Sequence, residues 1–122
     1  MKGQDNIIVD KSFNFAIRTV KLYQYLVGNK KERIMSQQLL KSGTSIGANV
    51  REAIRGQSRN GVIAKLSIAL KEASETEYWL ELLYKTNYIS DNEYKSIDRE
   101  CKEINRILTS IIRTTKSNEQ DF

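Results

Sequence analysis

Apolar residues recur along this chain every three or four positions, in four stretches separated by polar or glycine-containing breaks. That period belongs to helices with one buried stripe; strands alternate every second position. The first stretch predicts a helix over residues 12–28, with Phe13, Ala16, Val20, Tyr23 and Val27 inward and Ile17 broadening the stripe. Asp10 or Ser12 can cap it. Gly28-Asn29 is expected to end it, since glycine takes the left-handed stop conformation cheaply. The second helix is expected over 32–57, with Met35, Leu39, Ser42, Ile46, Asn49, Ala53 and Gly56 inward and Asn29/Glu32 at capping-box spacing. The third spans 60–87, with Val62, Leu66, Ala69, Ala73, Thr76, Leu80 and Leu83 inward. Ser90 and Glu93 make an S-x-x-E box. A fourth helix over 91–116 follows, seamed by Tyr94, Ile97, Cys101, Ile104, Leu108 and Ile111. Residues 117–122 read as a frayed polar tail.

Helices joined by short connections pack as antiparallel neighbours. The expected fold class is therefore all-α: an antiparallel up-and-down four-helix bundle, one domain over residues 1–122. The absence of proline and the presence of only six glycines remove the turn chemistry an all-β chain needs. The single cysteine, Cys101, excludes a disulfide within the chain and fits a reducing compartment. No apolar run approaches the ~20 residues that span a bilayer. Met1-Lys2-Gly3-Gln4-Asp5-Asn6 lacks a signal-peptide core. A cytoplasmic protein without membrane contact is expected.

The second helix departs from the pattern of the others. Half its seam is small or polar, and Gly43 and Gly47 add a second small stripe. Each glycine costs ~1 kcal/mol of helix propensity relative to alanine, while letting a neighbouring helix come close. Ser42, Ser45 and Asn49 lie on or beside the buried face. Buried serines can bond back to the carbonyl one turn earlier; Asn49 does so less readily and is expected to find partners elsewhere. The expectation is a polar cluster of Ser42, Ser45, Asn49 and Glu52 with Lys71, Glu72 and Glu75 of the third helix.

Much catalytic chemistry is missing. Without histidine there is no Ser-His machinery and no commonplace zinc or haem ligand. One cysteine builds no Cys-rich metal site, and G-x-x-x-G at Gly43–Gly47 lacks the Gly-Lys-Ser/Thr of a phosphate loop. The pairs Glu72/Glu75 and Glu100/Glu103 lack the histidines of di-iron bundles. No enzyme, metal or cofactor is expected.

Charge adds one feature. Residues 1–60 carry 11 Lys/Arg against 4 Asp/Glu, and residues 61–122 carry 9 against 11. Lys30, Lys31, Lys41, Arg51, Arg55 and Arg59 are the candidate nucleic-acid contacts, the three arginines spaced four apart so as to line one face. A solvated basic face is the plainer reading of the same residues. Tyr25, Tyr78 and Trp79 fall off the seams and are candidates for a subunit interface.

Two stretches carry a family resemblance. They are Gln38-Leu39-Leu40-Lys41-Ser42-Gly43-Thr44-Ser45-Ile46-Gly47-Ala48-Asn49-Val50-Arg51-Glu52-Ala53 and Lys65-Leu66-Ser67-Ile68-Ala69-Leu70-Lys71-Glu72-Ala73-Ser74-Glu75-Thr76-Glu77-Tyr78-Trp79-Leu80. Over about positions 10–115 the chain resembles the four-helix bundles encoded in intervening sequences of bacterial 23S rRNA genes. It is also similar to the accessory variability determinant of diversity-generating retroelements. Gly43 stands where alanine is common. The resemblance implies an antiparallel bundle assembled as a homopentamer. For the retroelement branch it implies binding to nucleic acid or to a reverse transcriptase. The expected function is a non-enzymatic oligomeric bundle that binds RNA or DNA; the alternative is a protein-interaction scaffold without nucleic acid.

Overall fold

The computed structural model describes residues 2–56 and 58–120, and among these it has four helices and no strand. They are α1 (Lys2–Gly28), α2 (Ile34–Ile54), α3 (Arg59–Lys85) and α4 (Asp91–Gln120). Gln57, expected in the second helix, lies outside the described residues, as do Asp121 and Phe122 of the expected tail. Residues 117–120 of that tail are helical, and α1 starts at Lys2 rather than near Ser12. Ser12 lies buried inside α1, its hydroxyl donating to the Val9 carbonyl at 3.2 Å, and is not a cap.

Side chains fix the other helix starts. Glu32 is buried, and its carboxylate accepts from the amides of Ile34, Met35 and Ser36 at 3.0, 3.1 and 2.8 Å and from the Ser36 hydroxyl at 2.6 Å. It therefore caps α2 forwards, a negative charge at the positive end of the helix dipole, in place of the expected box with Asn29. Ser58 accepts from the Gly61 amide at 3.0 Å to start α3. Ser90 accepts from the Glu93 amide at 3.1 Å to start α4. That is one half of the expected box; the Glu93 carboxylate instead reaches Arg18 of α1 at 3.3 Å. Among the described residues the left-handed ones are Lys31 (φ 58°) and Asn87 (φ 69°), and Gly28 is not among them. At the end of α3, Tyr88 N–H bonds the Leu83 carbonyl and Asn87 N–H bonds that of Tyr84, at 2.9 and 3.0 Å, a Schellman stop.

Each helix packs against the next, and α4 closes against α1. Cross-helix pairs rise in one number as they fall in the other, so neighbours are antiparallel: Lys11–Glu103 and Arg18–Glu93 join α1 to α4, and Glu52–Lys65 joins α2 to α3. The α3 and α4 seams fall where the sequence places them, with Leu66, Ala69, Ala73, Thr76, Leu80 and Leu83 facing Ile97, Cys101, Ile104, Leu108 and Ile111 across the core.

The α1 seam is displaced by one residue. Ile8, Ser12, Phe15, Thr19, Leu22 and Leu26 are buried, while Phe13 is 47% and Val20 38% exposed. The cause lies opposite, on α2. A Cβ at Gly43 would stand 2.7 Å from Thr19 Cγ2 and 2.8 Å from its Oγ1, and one at Gly47 would stand 3.3 Å from the Ser12 carbonyl oxygen. So close an approach leaves room only for small side chains, and Ser12 and Thr19 are what α1 presents. The Thr19 hydroxyl is satisfied within its own helix, donating to the Phe15 carbonyl at 2.9 Å. The α2 seam shifts too: Ser36 and Val50 are buried where Met35 and Asn49 were expected, and Gly56, beyond the helix, is exposed.

Two outcomes test this packing. Gly43→Ala gains helix propensity of ~1 kcal/mol but overpacks the Thr19 contact. Urea unfolding at fixed protein concentration is expected to show a net loss of about 1–2 kcal/mol. Most of that loss is recovered when Thr19→Ala is added. For the α2 cap, burial works to raise the Glu32 pKa, but the Ser36 hydroxyl and the Met35, Ser36 and Ile34 amides outweigh it and hold the carboxyl below its ordinary value. A depressed folded pKa stabilises above the unfolded pKa near 4.5, and that stability is lost as pH falls through the folded value. Glu32→Ala is expected to cost about 1–2 kcal/mol at neutral pH. The difference from the unmodified protein should shrink in acid, as read by unfolding at both pH values.

Candidate nucleic-acid interface

Spacing on α2 defines an outer stripe opposite its buried seam: Gln37, Lys41, Thr44, Ala48, Arg51 and Arg55, all exposed except the half-buried Thr44. Arg33, at the N-cap, extends it by one turn. This stripe holds Lys41, Arg51 and Arg55 together. It does not hold Arg59, because α2 ends at Ile54 and Arg59 opens α3, so the expected arginine row is broken by the turn. Lys30 and Lys31 lie in the connection at the other end of α2, about 30 Å away by helix length. The six basic candidates thus divide between the two ends and the outer face of one helix.

The carboxylates near these cations are already engaged. Glu32 is held by the α2 amides, and Glu52 pairs with Lys65 at 2.9 Å. Among the described residues, no ion pair joins Lys30, Lys31, Arg33, Lys41, Arg51 or Arg55 to an acid. Arg51 lies over the Phe13 ring, 4.7 Å from its centroid. The basic stripe of α2 therefore borders the outward face of α1, where Phe13, Ile17 (41% exposed) and Val20 follow one another at helical spacing. The sequence pattern misplaces these three in the core. A search for apolar residues left over once the glycines are given small partners would have found them.

The expected polar cluster does not assemble. Asn49 Nδ2 donates back to the Ser45 carbonyl at 2.8 Å, the local bond expected only of the serines. Ser45 donates to the Lys41 carbonyl at 2.6 Å. Glu52 takes Lys65 rather than Lys71 or Glu75, which are both exposed. Ser42 also reaches across, its hydroxyl 2.9 Å from that of Thr76, which also bonds the Glu72 carbonyl at 2.8 Å. The aromatic candidates separate as well. Tyr78 is 57% exposed and meets Trp79 edge-on at 5.0 Å, but Trp79 packs on the core and its indole N–H is buried without an acceptor.

Burial pushes the Cys101 thiol far up, with Glu77 and Asp98 adding to it, and the thiol donates to the Ala73 carbonyl at 3.4 Å. A thiol so held does not form the thiolate that attacks or ligates. Glu77 and Asp98 share Lys102 at 3.2 and 2.6 Å, and Glu77 also accepts from Asn105. Burial works against the Lys102 charge, but the two carboxylates outweigh it and hold its pKa above the ordinary value. Glu103 pairs with Lys11 at 2.9 Å, and Glu100 with Arg18 at 3.0 Å. Among the described residues no group of three acidic or cysteine side chains is placed to hold a metal ion. No described helix is long and apolar enough to cross a membrane.

Comparison with known proteins agrees with the four-helix fold. No curated protein matches the chain. A solved structure, a protein of unknown function from the S23 ribosomal protein family of Bacteroides thetaiotaomicron VPI-5482, is 58% identical. The match covers 90% of this chain and 98% of that one, with a TM-score of 0.89. The family described as 23S rRNA-intervening sequence protein matches residues 4–110, nearly the whole bundle, and the chain belongs to that family.

Proposed function

We propose that this chain works without catalysis, as a self-associating bundle that holds the phosphate backbone of RNA or DNA along the outer stripe of α2. The observation that carries the reading is the charge of Lys41, Arg51 and Arg55 on one face without an ion-pair partner, with the neighbouring carboxylate Glu52 already engaged by Lys65. Like charges on one face without carboxylate partners favour an anionic partner. The exposed Phe13, Ile17 and Val20 beside them supply an apolar face for a second copy. The homopentamer implied by the family likeness would repeat the basic stripe five times and add avidity that one chain lacks.

The exposed apolar stripe and Tyr78 also favour a second reading, a scaffold for a protein partner such as a reverse transcriptase. Salt separates the two. Counterion release weakens phosphate binding steeply as salt rises, by about 0.9 in log–log slope per phosphate on duplex DNA, and an apolar contact lacks that response. In fluorescence anisotropy with labelled RNA and duplex DNA, micromolar or tighter binding at low salt is expected. The Lys41→Ala/Arg51→Ala/Arg55→Ala variant should bind at least about tenfold more weakly and with a shallower salt slope. No binding at low salt, or a variant that binds as well as the parent, contradicts the nucleic-acid reading.

A further inference from the structure

The bundle end that carries the α1–α2 and α3–α4 connections has a surface unlike the α2 stripe. Two hollows adjoin there. One, of about 450 Å³, is lined by Tyr25, Lys30, Tyr84, Tyr88 and Ser90. The other, of about 500 Å³, is lined by Arg18, Lys21, Leu22, Tyr25 and Ile89. Tyr25, Ile89 and Ser90 belong to both, so the Tyr25 side chain stands on the wall between them. It is 43% exposed.

The rings around it are held in place. Tyr84 stacks on Tyr94 with centroids 4.3 Å apart and planes 2° from parallel, and its hydroxyl donates to Asp91 at 2.6 Å. Tyr88 packs against the core. The two acids that border the hollows are already engaged: Asp91 by the Tyr84 hydroxyl and by Lys95 at 3.0 Å, Glu93 by Arg18. Lys21 and Lys30 have no carboxylate partner among the described residues and are exposed. Tyr25 is the exposed ring among those lining the hollows, and an exposed ring sharing each hollow with a free cation forms the arrangement that grips unpaired bases. Each base offers a flat face to a ring, and each phosphate a charge to a lysine. A duplex hides its base faces and cannot use the rings.

We infer that the paired hollows at this end of the bundle seat an unstacked base and its flanking phosphates from a single strand of RNA or DNA, with Tyr25 as the stacking ring and Lys21 and Lys30 as the phosphate contacts. The inference rests on the nucleic-acid reading above and adds a preference for single strands, with Tyr25 as a binding residue rather than a subunit contact. Lys11, Asn14, Arg18, Lys21 and Tyr25 fall on one edge of α1, turned towards α4. Tyr25 lies roughly 80–140° around α1 from Phe13, Ile17 and Val20, with Lys21 between them.

The test compares anisotropy titrations of the full chain with a short labelled single strand of RNA, the same strand as DNA, and duplex DNA. Tyr25→Ala should weaken binding of at least one single strand by about tenfold or more, leaving the duplex within a factor of about two. The strand that loses more names the natural chemistry. Tyr25→Phe, which keeps the ring, should retain binding, and circular dichroism and sedimentation of Tyr25→Ala should match the unmodified protein. Single-strand binding that Tyr25→Ala leaves unchanged overturns this inference alone. So does an equal loss on duplex, or a change of oligomeric state in Tyr25→Ala. No binding to any of the three overturns the parent reading with it.

Discussion

Helices α1 and α2 can lie as close as they do because Gly43 and Gly47 present no side chain, and much of the molecule's surface follows from that contact. The close approach selects Ser12 and Thr19 as the residues α1 points inward. Once they are inward, the helical period turns Phe13, Ile17 and Val20 outward. Two glycines inside a helix lower its intrinsic stability by ~1 kcal/mol each. The Glu32 carboxylate, holding three amides at the start of the same helix, offsets part of that weakness.

Ion pairs do a different job on the opposite side. Helices α1 and α4 meet over a looser edge, lined by polar hollows and spanned by Lys11–Glu103 and by Arg18 reaching both Glu93 and Glu100. These partly exposed pairs add little stability singly, but they consume acids of α4. The ion-paired carboxylates of α3 and α4 are spent against α1 and within α3 and α4, and none of them reaches the cations of α2. The charge asymmetry between the halves thus becomes a geometric one, an α1–α4 edge crossed by ion pairs and an α2 outer face whose cations have none.

The sequence made the bundle legible because α3 and α4 follow the simple rule: Leu, Ile and Ala at helical spacing fall inside. The rule failed on α1, where Ser12 and Thr19 look like surface residues and Phe13 and Val20 like core. Their order is reversed by a contact with another helix, which no local pattern records. The broken arginine row failed for a related reason, since a turn after Ile54 interrupts a periodicity that runs on unbroken in the residue numbers. Asn49 failed through chemistry, because its amide reaches the Ser45 carbonyl within one helix and needs no distant partner. The small stripe of Gly43 and Gly47 was legible as close packing; what it packed against was not.

The most direct test of this account is the mass of the protein in solution, by sedimentation equilibrium, with and without Ile17→Glu. Ile17 faces away from the core, so the substitution leaves the bundle intact while placing a charge in the middle of the outward stripe. The account requires the unmodified protein to run as a multiple of the 14.1 kDa chain and Ile17→Glu to run as a folded single chain. An unmodified protein that is already a single chain, or an Ile17→Glu variant that assembles as before, would contradict the claim that the glycine contact turns this stripe outward for self-association.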